Sequence, residues 1–203
     1  MTGLFITLEG IDGAGKSTHV DYLAHRFAAA GRTVVRTREP GGTAIGERIR
    51  ELVLDHAMDV LAETLLIFSA RAQHLHEVVR PALAAGSVVL CDRFTDATFA
   101  YQCGGRGVPE PSVEALAALT HGDLAPDLTL LFDTDASIAR ARVVARSAAD
   151  RFEREDLAFF ERVRARYLAQ ARREPGRFCV LDGGRSIAEV QASIERVIAR
   201  HVG

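Results

Sequence analysis

Gly10-Ile11-Asp12-Gly13-Ala14-Gly15-Lys16-Ser17-Thr18 fits the pattern G-x-x-x-x-G-K-[ST] of a phosphate-binding P-loop. Its flanks fit as well: the apolar run Leu4–Leu8 reads as a strand before it, and His19–Ala30 as a helix after it. Glycines let backbone N–H groups close around phosphate oxygens, and a helix N-terminus adds its positive end at the same place. In such a loop the lysine, Lys16, reaches the β- and γ-phosphates, and the hydroxyl of Ser17 sits on Mg²⁺. The stretch implies a nucleoside triphosphate as ligand.

Outward from this loop, short apolar runs alternate with helical patterns. Thr33–Thr37, Ser87–Cys91, Asp127–Asp133 and Phe178–Leu181 read as further strands. Helices are expected from Thr43, as cap, to about Asp55, over Asp59–Ala85 with a kink at Pro81, and from Thr95. Others start at Pro111 or Ser112 and run over Ala136–Arg146, Asp156–Arg173 and Ser186–His201. In the helix after Thr43 the apolar positions Ile45, Ile49, Leu52 and Val53 predict the inward stripe. Continuous apolar strands alternating with helices predict an α/β fold: a P-loop three-layer sandwich, with a five-stranded parallel sheet covered by helices on both faces. The whole chain, 1–203, reads as a single domain with a short lid at about 142–155.

Composition narrows the setting. The 203 residues carry a net charge of −2, so no global field favours nucleic acid or membrane. Lys16 is the only lysine, in a chain that otherwise uses arginine. Cys91, Cys103 and Cys179 show no metal-ligand spacing and suit a reducing, cytoplasmic compartment. The histidines make no metal pattern, and no N-K-x-D guanine-reading motif is present, which argues for a kinase over a switch GTPase.

The polar residues at strand ends mark the chemistry, because ligands of such sheets bind at the carboxyl ends of strands. The second strand delivers Arg38-Glu39-Pro40 and the third delivers Asp92-Arg93. Asp92 stands where a carboxylate holds Mg²⁺ in the phosphoryl-transfer template; a helix cap is the other reading. Arg93 reads as a bidentate phosphate clamp, or as half of an intrachain salt bridge. Arg142, Arg146, Arg151 and Arg154 surround a break at Ser147–Asp150. A basic hinge there resembles a lid, and an arginine on the transferring phosphoryl is worth about 10³–10⁵ in rate. Arg142 reads as part of a solvated face.

The motifs Glu9–Ser17, Thr37–Thr43, Asp92-Arg93-Phe94 and Ala100–Gly107, with Asp150–Glu153 and Arg164–Leu168, together resemble bacterial thymidylate kinase. The resemblance runs from the first strand to the last helix. It implies phosphorylation of dTMP by ATP with Mg²⁺ in a homodimeric enzyme. It further implies Asp12 near the sugar 3′-hydroxyl, Arg93 on the dTMP phosphate and Arg71 donating to thymine O4. Thr98 and Tyr101 line base and sugar, with Tyr101 crowding any 2′-hydroxyl. Arg38, Glu39 and Pro40 form the facing wall, and Arg151, with Arg146, serves the transferring phosphoryl. Two departures stand out. The base-stacking aromatic of the family lies four residues before the arginine, where this chain has Ile67, while Phe68 lies three before it and either stacks on the base or packs in the core. Cys103 replaces a usual glycine in what reads as a loop over Tyr101–Gly107. Another P-loop nucleoside or nucleotide kinase, and a non-catalytic nucleotide-binding regulator, are the alternatives.

Overall fold

The computed structural model describes residues 2–145 and 151–202. Five strands, β1 (Leu4–Glu9), β2 (Val34–Arg38), β3 (Val88–Asp92), β4 (Leu128–Asp133) and β5 (Phe178–Asp182), form one sheet in the order β2-β3-β1-β4-β5. Every pairing is parallel. β1 is central and buried along its whole length, as its unbroken apolar run requires. The helices are α1 (Lys16–Ala29), α2 (Ala44–Asp55), α3 (Val60–His74), α4 (Arg80–Ala84), α5 (Thr95–Thr98), α6 (Glu110–Thr120), α7 (Ala136–Val144), α8 (Leu157–Arg173) and α9 (Ile187–Val202). No helix among the described residues is long and apolar enough to cross a membrane.

Register aligns the functional ends. Arg38 pairs with Asp92, and Asp92 with Leu8, so the ends of β2, β3 and β1 lie side by side. Thr43 caps α2 by accepting the N–H of Gly46 at 2.9 Å, as expected. The inward face of α2 differs from the predicted stripe: Gly46 and Val53 are buried, while Ile45 and Leu52 face outward. Gly46 is the reason, because a Cβ there would stand 2.6 Å from the carbonyl oxygen of Gly41, so this face seats against the loop.

Two π-helical turns reshape predicted elements. The long helix expected over Asp59–Ala85 is α3 and α4 joined by one π turn, Leu75–Val79, just before Pro81. Proline offers no N–H, and the widened turn absorbs that loss. The expected glycine-rich loop is instead a second π-helical stretch, Phe99–Gly105, continuing from α5. Its glycines serve close approach: a Cβ on Gly105 would stand 2.5 Å from the ring of Phe159 on α8, and one on Gly104 2.7 Å from Cβ of Arg166. Cys103 sits in this stretch with its side chain half-buried.

Candidate active site

The P-loop joins the end of β1 to the start of α1. Gly15 opens α1 at φ 100°, a left-handed conformation that costs glycine little. At Gly13 a side chain is also excluded by space, since its Cβ would lie 2.1 Å from the carbonyl oxygen of Ala139 on α7. Lys16 is buried, donating to the carbonyl of Gly10 at 3.2 Å, with Asp92 Oδ1 3.9 Å from its Nζ. Burial, and then the nearby Arg93, lower the pKa of Lys16. Ser17 and Thr18 are exposed at the first turn of α1. A polar cavity here is lined by Asp12, Gly13, Gly15, Lys16, Ser17, Arg38, Glu39, Arg50, Asp92, Arg93 and Glu153.

Beside it lies a second, more apolar cavity. Pro40, Val53, Leu54, Ile67, Arg71, Phe94, Thr98, Tyr101, Gln102 and Phe152 line it, together with Asp12, Glu39, Arg50 and Arg93, which face both cavities. Its polar wall is a connected set. Asp12 Oδ1 accepts from Arg93 Nη2 at 2.6 Å, and Asp12 Oδ2 accepts from the Tyr101 hydroxyl at 2.8 Å. Arg93 also donates to Tyr101 at 3.0 Å, to Gly10 O at 3.0 Å and to the Tyr167 hydroxyl at 3.1 Å. Burial works to raise the Asp12 carboxyl, but Arg93 and then Lys16 outweigh it and bring the pKa to about 2. Tyr101 is pushed far above its usual range, by burial first, and stays a hydroxyl donor. The intrachain ion-pair reading of Arg93 is realised with Asp12, and the same residue lines the polar cavity. Its φ of 71° is the one left-handed non-glycine conformation among the described residues, the kind of local strain that gathers at functional sites.

At the far wall, Arg71 donates through Nε to Glu39 Oε2 at 2.6 Å and through Nη2 to Thr98 Oγ1 at 3.0 Å. Its Nη1 is buried with no hydrogen-bond partner among the described residues. Arg71 lines the cavity, and a buried donor without a partner is costly unless a ligand or water satisfies it.

Some expectations meet different placements. Phe68 is not among the cavity's lining residues, whereas Ile67 is. Phe68 packs with Val113 and Ala117 and supports the Arg71 guanidinium, 4.7 Å from its ring centroid. Arg142 is not on a solvated face: its Nη1 donates to Gly183 O at 3.0 Å and to the P-loop carbonyl of Gly13 at 3.4 Å. Arg151, expected on the transferring phosphoryl, is held elsewhere. It donates to the buried carboxylate of Glu63 and, through Nε, to Val53 O at 3.1 Å. This anchors the neighbouring Phe152 as part of the cavity wall, edge-on to Tyr101. Arg146 and the break at Ser147–Asp150 lie outside the described residues. Several lining residues are not among the expected site residues: Arg50, Val53, Leu54 and Ala97, and also Phe94, Gln102, Phe152 and Glu153, which lie within the quoted motifs. Arg50 precedes Val53 by three on α2 and so shares its inward side, a spacing that was there to be read.

A P-loop at the ends of parallel strands, with its polar cavity sharing four residues with a more apolar one, places the chain among nucleotide-binding proteins of the P-loop class. The family model described as thymidylate kinase matches residues 8–194. The thymidylate kinase of Pseudomonas syringae pv. tomato is 57% identical, over 98% of this chain and 96% of its own. That of Methylobacillus flagellatus is 55% identical over 96% of both chains. The crystal structure of thymidylate kinase from Ehrlichia chaffeensis superposes with a TM-score of 0.76 at 32% identity, covering 98% of this chain and 99% of that one. The chain belongs to the thymidylate kinase family.

Proposed function

We propose that this chain transfers the γ-phosphoryl group of ATP to dTMP, yielding ADP and dTDP. The observation that carries the acceptor assignment is the unpartnered Nη1 of Arg71, a residue lining the pocket that shares four residues with the P-loop cavity. A guanidinium donor pairs with O4 of thymine and meets an amino group on cytosine, and such buried mismatches discriminate strongly.

The P-loop backbone from Gly10 to Thr18, with Lys16, would hold the ATP phosphates; Arg38 and Arg50 add charge to the same cavity. Magnesium fits this site: Asp92 Oδ1 is buried without a hydrogen-bond partner, and Ser17 presents an exposed hydroxyl on the adjoining turn. No group of three or more acidic, histidine or cysteine ligands occurs among the described residues, so Asp92, Ser17 and the nucleotide's own phosphates would hold the ion. When bound, it neutralises charge developing on the phosphate oxygens. Arg93 orients the dTMP phosphate, and Asp12 and Tyr101, locked to it, face the deoxyribose. Thr98, Glu39 and Pro40 complete the base wall, with Ile67 rather than Phe68 against the ring. Transfer then rests on positioning and charge rather than on a general base. Arg151 latches Phe152 over the acceptor; a role on the phosphoryl requires it to leave Glu63.

The single-domain, cytoplasmic, homodimeric reading belongs to the same proposal. Leu61 and Leu65, one turn apart on α3, are 55% and 45% exposed, which suits a covering partner of the same chain. An ADP-release assay with Mg-ATP against dTMP, dUMP, dCMP, UMP and AMP tests the acceptor. Turnover of dTMP well above the rest is expected; preference for another monophosphate overturns the assignment.

A further inference from the structure

Behind the base-reading arginine runs a buried polar chain that the reaction itself does not require. Glu39 takes one donor on each oxygen: Arg71 Nε on Oε2 at 2.6 Å, and His74 Nδ1 on Oε1 at 2.8 Å. His74 Nε2 in turn lies 2.6 Å from the Thr37 hydroxyl. Arg71, Glu39 and His74 are 1%, 2% and 0% exposed, so the three meet one another away from bulk water. His74 and Thr37 line neither cavity. Gly42, at φ 77°, closes over the pair, since a Cβ there would lie 2.7 Å from His74 Cδ2 and 2.6 Å from Thr37 Oγ1.

We propose that His74 and Thr37 are positioning residues for acceptor selection, aiming the open Nη1 of Arg71 through the carboxylate of Glu39. The proposal rests on the reading that Arg71 meets the pyrimidine O4. Burial would raise the Glu39 carboxyl, yet Arg71 and the hydrogen bond from His74 hold its pKa below the usual range, so Glu39 only accepts. His74 must therefore donate through Nδ1. Its Nε2 then meets the Thr37 hydroxyl, which can donate or accept to suit. The chain ties the end of β2 to α3 and fixes the rotation of Glu39. Thr98 fixes the other edge of the guanidinium, and the Phe68 and Phe94 rings lie 4.7 and 5.2 Å from its carbon. With one edge released, the guanidinium would turn and the O4 donor would lose its aim.

The test is steady-state kinetics of the purified full chain with Mg-ATP, comparing dTMP and dCMP for His74→Leu, His74→Asn, Thr37→Val and Arg71→Lys. His74→Leu should raise KM for dTMP roughly 10-fold and lower the dTMP-over-dCMP ratio of kcat/KM by a similar factor, the cost of one lost charged hydrogen bond. KM for ATP should stay where it is. His74→Asn, whose amide donates from about the position of Nδ1–H, should recover most of the ratio; Thr37→Val should shift it about threefold in the same direction. Equal losses on both acceptors, with the ratio intact, overturn the proposal and leave His74 a purely structural residue. If His74→Leu shows no cooperative melting transition, Thr37→Val decides by the same ratio. Arg71→Lys separates the two levels. A ratio unchanged in Arg71→Lys sinks the base-reading assignment itself, whereas a ratio lost there and kept in both His74→Leu and Thr37→Val sinks only the positioning role.

Discussion

Asp92 Oδ1 stands 3.9 Å from the Nζ of Lys16, buried and with no hydrogen-bond partner among the described residues. A carboxylate oxygen kept open beside the phosphate-reading ammonium is poised for a cation. Asp92→Asn should lower kcat roughly 100-fold and raise the Mg²⁺ concentration needed for half-maximal rate. Titration of activity with Mg²⁺ reads both, and an unshifted midpoint with normal kcat assigns Asp92 to packing.

Arg151 and Glu63 offer a kinetic split. If the pair latches Phe152 over the acceptor, Arg151→Ala and Glu63→Gln should each raise KM for dTMP roughly tenfold or more, from the ~1.5 kcal/mol or more of a charged hydrogen bond. If Arg151 serves only the transition state, Arg151→Ala should lower kcat with KM unchanged, and Glu63→Gln should do little.

Ile67 and Phe68 should part ways under substitution. Ile67→Ala removes a side chain that lines the acceptor cavity and should raise KM for dTMP about tenfold. Phe68→Leu should change that KM far less and instead lower stability by about 1 kcal/mol, through lost packing beneath Arg71. Melting curves alongside the kinetics separate the two effects.

Glu9 sets a pH dependence. Its carboxyl is pushed from 4.5 up to about 8, by burial first and then by Asp96. The folded chain thus keeps a proton that the unfolded chain releases, so this group's contribution makes stability fall as pH rises from about 4.5 to about 8. Glu9→Gln, neutral throughout, should flatten that part of the profile. Calorimetry between pH 5 and 8 checks the difference between the two slopes, and identical slopes would remove Glu9 as its source.

Solution size tests the exposed face of α3. Sedimentation should give a dimer for the native chain, and Leu65→Glu, placing a charge on that face, should give monomers. A native monomer would end the homodimer reading.

The sheet and the three loaded strand ends were legible because burial on both faces forces unbroken apolar runs, and because polar residues at their ends have no place in a core. The P-loop was legible for the same reason of constraint, glycine at left-handed positions and a lysine among arginines. Elsewhere the sequence misled where glycine served closeness rather than turning. Gly104 and Gly105 read as a loop but let α8 approach a π-helical stretch, and Gly46 turns the face of α2 away from the predicted stripe. Phe68 and Ile67 differ by one position on a helix apolar on several sides, so periodicity could not choose between them. The partner of Arg151 was illegible, because Glu63 lies 88 residues away and joins it only through the fold.

Asp12, Glu39, Arg50 and Arg93 face both cavities. Any substitution at these four therefore alters both cavities at once. Val53, Leu54, Ile67 and Phe152 touch the acceptor cavity alone among the two. Substitutions at those positions would reshape the more apolar cavity while leaving the lining of the P-loop cavity untouched.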